Sequence, residues 1–511
     1  MKKSSLSTQD KTILILIAAI LFGTWFRIMP GWLSGFPVND GGMFYTMIKD
    51  LKTNHFFPPL YTSYNHLSIP FAYPPLALYI GAILSSNHYI SEIEVLRWLP
   101  GIINSFTIPV FYLLAKEILG DKFKSAVATL VFSLIPHMVE WLSMGGGLTR
   151  SFGTLFMMLT ALFSHRMFLN GGIKSFLLTI LFGSLTVLSH TESIVFAVIF
   201  PILVWLFVFR SIQGIKQALG VAVGVILIAG PWYGYVLYNH GVYPFLAAAK
   251  TGGQNLLVAL LLLDFSKFTV ENYIDLIGTI GLLGLLFLLS KKQFLLPALF
   301  VSIFVIQRRS GHTIANIPLA MAAGTYITDS IFLHFKENKY PLLFLFPFLF
   351  LNIFYQGYIS PKNSISEESR AVYQWIAENT PEQSRFLVLT GESDAMCDSK
   401  AEWFPSLTNR HNITTIQGRE WMFEQDFFKS LSSRDNIEKC VINGLECLET
   451  EVSRNHIEFD YILISYSSNI NRCNQVIEKT YEIPLLIKEI SVSKNYELIL
   501  NNKELALFTK K

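Results

Sequence analysis

Apolar runs close to the roughly 20 residues that cross the hydrocarbon core of a bilayer recur along this chain as far as residue 358 and then stop. Lipid supplies no hydrogen-bond partners, so such runs fold as α-helices whose backbone groups pair internally. Composition agrees, with 51% of 511 residues hydrophobic, 15% charged and a mean hydropathy of +0.42. These values exclude an ordinary soluble protein and define an integral membrane protein. The runs place about eleven spans near residues 12–30, 98–115, 125–142, 150–168, 175–189, 193–209, 217–236, 271–290, 293–306, 314–333 and 340–358. The start of the chain, a basic segment and then an apolar run from Ile13, lacks a small-residue cleavage site and continues into Trp25, Phe26 and Arg27. It reads as a retained first span rather than a signal peptide.

Eleven spans put the two ends on opposite sides. Lys2, Lys3, Lys11, Lys116, Lys122, Lys124, Arg166, Lys174, Arg210, Lys216, Lys291, Lys292, Lys336 and Lys339 then all fall on one face, which the positive-inside bias makes the cytoplasm. The N-terminus is expected there, in a plasma or inner membrane. Residues 361–511 are expected as a separate outward-facing domain following a membrane domain, 1–360. The net charge of +3 adds little beyond this asymmetry, and no basic tract suits nucleic acid.

The other departure from regular spacing is a polar, aromatic-rich insertion, residues 31–96, between the first two spans. Membrane segments are normally joined by short loops, so an insertion of this size points to a site at the outer surface. Asp40-Gly41-Gly42 precedes a segment with Met43, Met47 and Leu51 at helical spacing and Lys49, Asp50 and Lys52 opposite, the pattern of a helix lying in the interface. Leu76–Leu84, after Tyr73-Pro74-Pro75, is too short to span and reads as interfacial or re-entrant. His55, Phe56, Phe57, Tyr61, Tyr64 and His66 between them suit the headgroup layer and sugar rings. Asp40 admits two compatible roles: a cap on the helix that follows, and a general base taking the proton of an attacking hydroxyl.

Further polar residues gather at the outward ends of later spans, where charge is costly unless used or paired. Glu140 ends the third span. Gly145-Gly146-Gly147 then leads to Arg150, a turn with exposed amides beside a fixed cation that suits a phosphate, or equally a flexible turn with a snorkelling arginine. His190-Thr191-Glu192 forms the hairpin between the fifth and sixth spans, where His190 and Glu192 converge on a substrate or cation. No further ligand pattern accompanies them, so no metal site is assigned. Arg308 and Arg309 stand at the outer end of the ninth span, either as phosphate ligands or as interface anchors.

The region after Ser360–Asn363 reads as an α/β domain. Ser364 and Glu367 form a capping-box pattern before a helix over 370–379, and Pro381 ends it. Residues 386–389 and 461–464 read as buried strands, and 496–500 with 505–508 as a hairpin about Asn501-Asn502. The aromatic stretch from Glu402-Trp403-Phe404-Pro405 to Arg419-Glu420-Trp421 either covers the site or forms ordinary core. All four cysteines, Cys397, Cys440, Cys447 and Cys473, lie here. An even number on the oxidising side favours disulfides, with Cys440 to Cys447 the local pairing among three connectivities.

Pro37-Val38-Asn39-Asp40 after a first span, then Tyr73-Pro74-Pro75-Leu76, then Arg97 opening the next span, resembles the lipid-phosphate-sugar-dependent glycosyltransferases of the C-type membrane fold. Protein O-mannosyltransferases and aminoarabinose transferases belong to that group. The resemblance covers residues 12–360 in layout. It implies a polytopic α-helical membrane enzyme with Asp40 as catalytic base, Arg150, Arg308 and Arg309 holding the donor phosphate, and Asn39, His66, Tyr73, His190 and Glu192 lining the substrate site. The implied reaction moves one sugar from a polyprenyl-phosphate donor to a lipid, glycan or protein acceptor outside the membrane. It requires no cofactor, and a divalent cation is compatible with it. Tyr73 stands where many relatives carry a charged residue ahead of the prolines. A transporter or lipid flippase is the alternative, and it calls for internal repeats and midplane ionisable residues.

The orientation is directly testable. In intact cells an impermeant thiol reagent should label a cysteine introduced at position 40 and spare one at position 291. The opposite pattern would invert the topology.

Overall fold

The computed structural model describes residues 7–87, 89–250, 275–307, 310–335, 340–422, 427–466 and 483–511. In chain order the helices of the first part are α1 (Thr8–Ser34), α2 (Gly42–Thr53), α3 (Leu76–Leu84), α4 (Glu92–Leu119), α5 (Lys122–Ser133), α6 (Glu140–Ser143), α7 (Gly147–Asn170) and α8 (Ile173–Ser189). They continue with α9 (Thr191–Phe207), α10 (Ile212–His240), α11 (Tyr243–Lys250), α12 (Leu276–Ser290), α13 (Leu295–Ile306), α14 (Gly311–Tyr326) and α15 (Tyr340–Ile359). Each expected span overlaps one of these helices, with residues 271–274 of the eighth lying outside the described residues. Among the described residues, four helices, α1, α4, α7 and α10, are long and apolar enough to cross a membrane alone. The pair of α5 with Pro136–Ser143 makes a fifth, while α8, α9, α12 and α13 are shorter apolar helices.

The broken pair has an identifiable cause. Pro136 lacks an N–H and disfavours helical geometry at the residue before it, and Ile135 is extended with φ −73° and ψ 117°. The chain turns through 78°. Backbone freed at such a break must find partners inside the protein. The buried Arg27 guanidinium of α1 donates to the Ser133 carbonyl at 3.1 Å, and Asn104 of α4 donates to the Met138 carbonyl at 2.9 Å. Close approach of these helices depends on small residues, because a Cβ on Gly101 would overlap the Arg27 carbonyl. Arg97 ties the outer ends together, its Nε donating to the Gly31 carbonyl at 2.7 Å.

The C-terminal part is an α/β domain packed on the insertion. Within the insertion, β1 (Tyr61–Thr62) and β2 (Ile69–Pro70) form a short antiparallel pair. The domain's sheet has β3 (Arg385–Leu389), β4 (His411–Asn412), β5 (Tyr461–Ser465), β6 (Tyr496–Asn501) and β7 (Leu505–Lys510), in the order β4-β3-β5-β7-β6. β3 runs parallel to both β4 and β5, and the β6–β7 hairpin closes the other side antiparallel. Helices α16 (Glu367–Asn379) and α17 (Ser399–Thr408) are followed by α18 (Phe427–Asn443), α19 (Leu445–Arg454) and α20 (Leu485–Val492). Cys440 and Cys447 form a disulfide across the α18–α19 turn. Cys397 is also disulfide-bonded, and Cys473 lies outside the described residues.

Two local expectations change. The cap of α16 is Ser366, whose hydroxyl accepts from the Ser369 N–H at 3.1 Å. Ser364 instead donates its hydroxyl to the Pro37 carbonyl, so the sequence pattern marks an interdomain contact and not a capping box. Helix α2 forms where expected, but Met43, Met47 and Leu51 are 2%, 2% and 0% exposed. Their face packs on α3 and α17 instead of lying in lipid, because the C-terminal domain covers it.

Candidate active site

The site is built where the insertion, the loop before α7 and the C-terminal domain meet. Asp40 does not cap α2. The N-cap position is Gly41, whose φ of +143° suits glycine, and Trp403 and Gly145 leave no room there for a Cβ. The first amides of a helix need acceptors, and a carboxylate 360 residues away supplies them. Glu402 of α17 accepts from the Gly42 N–H and the Met43 N–H, both at 2.9 Å.

Asp40 is therefore available to other partners. The Gly146 N–H donates to the Asp40 carbonyl at 2.9 Å and lies 3.2 Å from its Oδ1. Nη2 of Arg150 stands 3.8 Å from Oδ2, and the guanidinium lies over the Trp141 ring. A side chain at Gly146 would occupy the space of the carboxylate, which gives this glycine its purpose. The amides of Gly145 and Gly147 are also engaged, by the Val38 and Met144 carbonyls. The glycine loop thus grips the Asp40 segment through amides that a phosphate reading would have kept for the donor, while Arg150 keeps its cation at the site.

The remaining candidates separate by position. Tyr73 lies beside this centre, its hydroxyl 3.3 Å from that of Thr149, and its ring packs against Phe44 and Trp421. His190 joins α8 to α9 and packs against Gly153, one turn along α7 from Arg150. Glu192 follows in the first turn of α9. Asn39 is 1% exposed and donates to the Met396 carbonyl, so it anchors the domain. His66 lies at the domain seam, with Nε2 3.2 Å from the Asn409 carbonyl. Arg308 and Arg309 lie outside the described residues. Among the described residues, no group of three or more His, Cys, Asp or Glu is arranged to hold a metal.

Three neighbouring residues had no individual role assigned from sequence, although Glu402 and Trp403 lie in the aromatic stretch read as either covering the site or forming ordinary core. The Trp403 indole N–H donates to the Asn39 carbonyl at 2.8 Å. Glu140 is buried beside Val38 and Met144, and among the described residues neither oxygen has a hydrogen-bond partner; its one sequence signal was an acid at the outer end of a span.

Residues 73–233 match the family of dolichyl-phosphate-mannose-protein mannosyltransferases, a segment that holds Tyr73, Arg150 and His190 but not Asp40. The arabinofuranosyltransferase AftD from Mycobacteria superposes with a TM-score of 0.54 at 11% identity, over 99% of this chain and 40% of that one. The chain thus spans about two fifths of that relative's length. ArnT from Cupriavidus metallidurans in its apo state superposes with a TM-score of 0.51 at 11% identity, over 97% of each chain. No curated protein matches by sequence. The fold is that of the C-type membrane glycosyltransferases. The superpositions show a shared fold, and the family match is confined to residues 73–233.

Burial, and then the nearby Asp40 charge, push the Glu402 carboxyl up to about 8 against the pull of the Gly41, Gly42 and Met43 amides. Burial raises Glu392 and Glu438 of the same domain to about 8 as well. A carboxyl raised on folding binds more protons folded than unfolded. Its contribution is fully present below the ordinary carboxylate range and is lost as pH rises through about 8. The unfolding temperature of the purified protein should therefore fall between about pH 5 and pH 8, and Glu402→Gln should flatten part of that fall. A slope unchanged by the substitution would contradict this account of Glu402.

Proposed function

We propose that this protein transfers one sugar from a polyprenyl-phosphate donor to an acceptor hydroxyl on the outer side of the membrane. The observation that carries the reading is the Asp40 carboxylate, fixed by the Gly146 amide with the Arg150 guanidinium 3.8 Å away. A base beside a cation suits a transfer that takes a proton from the acceptor and develops charge on a leaving phosphate, with the sugar entering between the two groups. Asp40 takes the proton of the acceptor hydroxyl as its oxygen bonds to that carbon. The bond from carbon to phosphate oxygen breaks, and its electron pair leaves with the polyprenyl phosphate, whose added charge Arg150 meets. Tyr73, His190 and Glu192 line the approach, and Arg308 and Arg309 remain candidates for the phosphate. The step calls for no cofactor, and a divalent cation beside the leaving phosphate is compatible with it.

The proposal includes eleven spans, a cytoplasmic N-terminus and a domain from residue 361 onward facing outward. The distribution of lysine and arginine supports that orientation. The acceptor is a lipid, glycan or protein hydroxyl.

Purified protein incubated with radiolabelled polyprenyl-phosphate sugars and membrane extract tests the reading. Asp40→Asn keeps an oxygen to accept from Gly146 but removes the base, so transfer should fall about 100- to 10,000-fold at normal expression. Arg150→Ala should raise the donor KM, with lysine only partly restoring it because the planar fork is lost. An Asp40→Asn enzyme working at the parent rate would remove Asp40 from the chemistry.

A further inference from the structure

We propose that Glu402 is a positioning residue for sugar transfer, by which the C-terminal α/β domain sets the place of the Asp40 carboxylate through the backbone on either side of it. The inference rests on the role given to Asp40 above. On one side of Asp40 the Asn39 carbonyl accepts from the Trp403 indole at 2.8 Å, and the Asn39 N–H donates to the Asn363 carbonyl at 3.1 Å. On the other side the Gly42 and Met43 amides donate to Glu402. Asp40 therefore spans two points that belong to the same domain. α2 has no side-chain cap of its own, since its N-cap residue is glycine.

The clasp has depth as well as contact. α17 lies along the first turn of α2, and Thr46, one turn beyond Gly42, donates to the Ser406 hydroxyl at 3.0 Å. The Tyr64 hydroxyl donates to the Glu402 carbonyl at 2.7 Å, which fixes the backbone of the clasping residue from the insertion side. Glu402 and Trp403 are 6% and 0% exposed, so water does not substitute readily for either. A base displaced by about 1 Å can lose about 100-fold in rate, and this clasp is the means of preventing that displacement.

The test uses the full-length protein and two independent readouts. Hydrogen exchange over residues 41–46 needs no substrate, and Glu402→Gln should speed it about tenfold, as expected for loss of an N-terminal cap. In transfer assays the same variant should lower kcat about 10- to 100-fold while the donor KM stays within about twofold. In an Asp40→Asn background it should cost nothing further, because it acts through Asp40. Gly42→Ala reaches the clasp from the other side, its Cβ lying 2.9 Å from the Ser406 hydroxyl and 3.0 Å from Oε2 of Glu402. It should lower kcat even though alanine is the better helix former. Unchanged exchange, or losses that multiply in the double variant, would overturn the proposal. Faster exchange together with an Asp40→Asn enzyme that still transfers sugar would leave the clasp standing and overturn the catalytic reading of Asp40.

Discussion

Backbone N–H groups hold both of the carboxylates on which this architecture turns. Glu402 takes the first amides of α2, and Asp40 takes the amide of Gly146. Each bond joins segments distant in sequence, so the insertion, the membrane helices and the C-terminal domain are fastened at one place. A helix start buried without its own cap would otherwise be costly. The α/β domain is thus part of the site and not an appendage.

The same rule explains the membrane part beneath. The kink at Ile135-Pro136 brings the chain from α5 round to α6 and the glycine loop, and it would strand backbone groups in the bundle without Arg27 and Asn104. An arginine in a first span looks at first like a functional cation. Here it donates to the Gly23 and Ser133 carbonyls. The break delivers Gly145 and Gly146 to Asp40, so a structural arginine and a candidate catalytic aspartate are linked by one bent segment.

Much of this was legible because the signals are local. The apolar runs, the short helix Leu76–Leu84, the strands near 386–389 and 461–464 and the hairpin about Asn501 depend on periodicity and turn chemistry within a few residues. The cap of α2 was misassigned for the converse reason. Asp40-Gly41-Gly42 has the composition of a helix start, and nothing within the insertion announces that Glu402 will occupy that role. The amphipathic face of α2 misled likewise, since a stripe of Met43, Met47 and Leu51 looks the same whether lipid or protein covers it.

By itself the sequence determined that this is a helical membrane protein with a large polar insertion and a separate α/β region, because hydropathy and periodicity are properties of neighbouring residues. It also singled out Asp40 and Arg150 as charges at the outer ends of spans. Only the tertiary structure decided that these two stand 3.8 Å apart, that the glycine loop grips Asp40, and that Glu402 caps α2. Those pairings cross more than 100 residues of chain, and no local pattern encodes which acceptor a buried amide will meet when distant segments pack together.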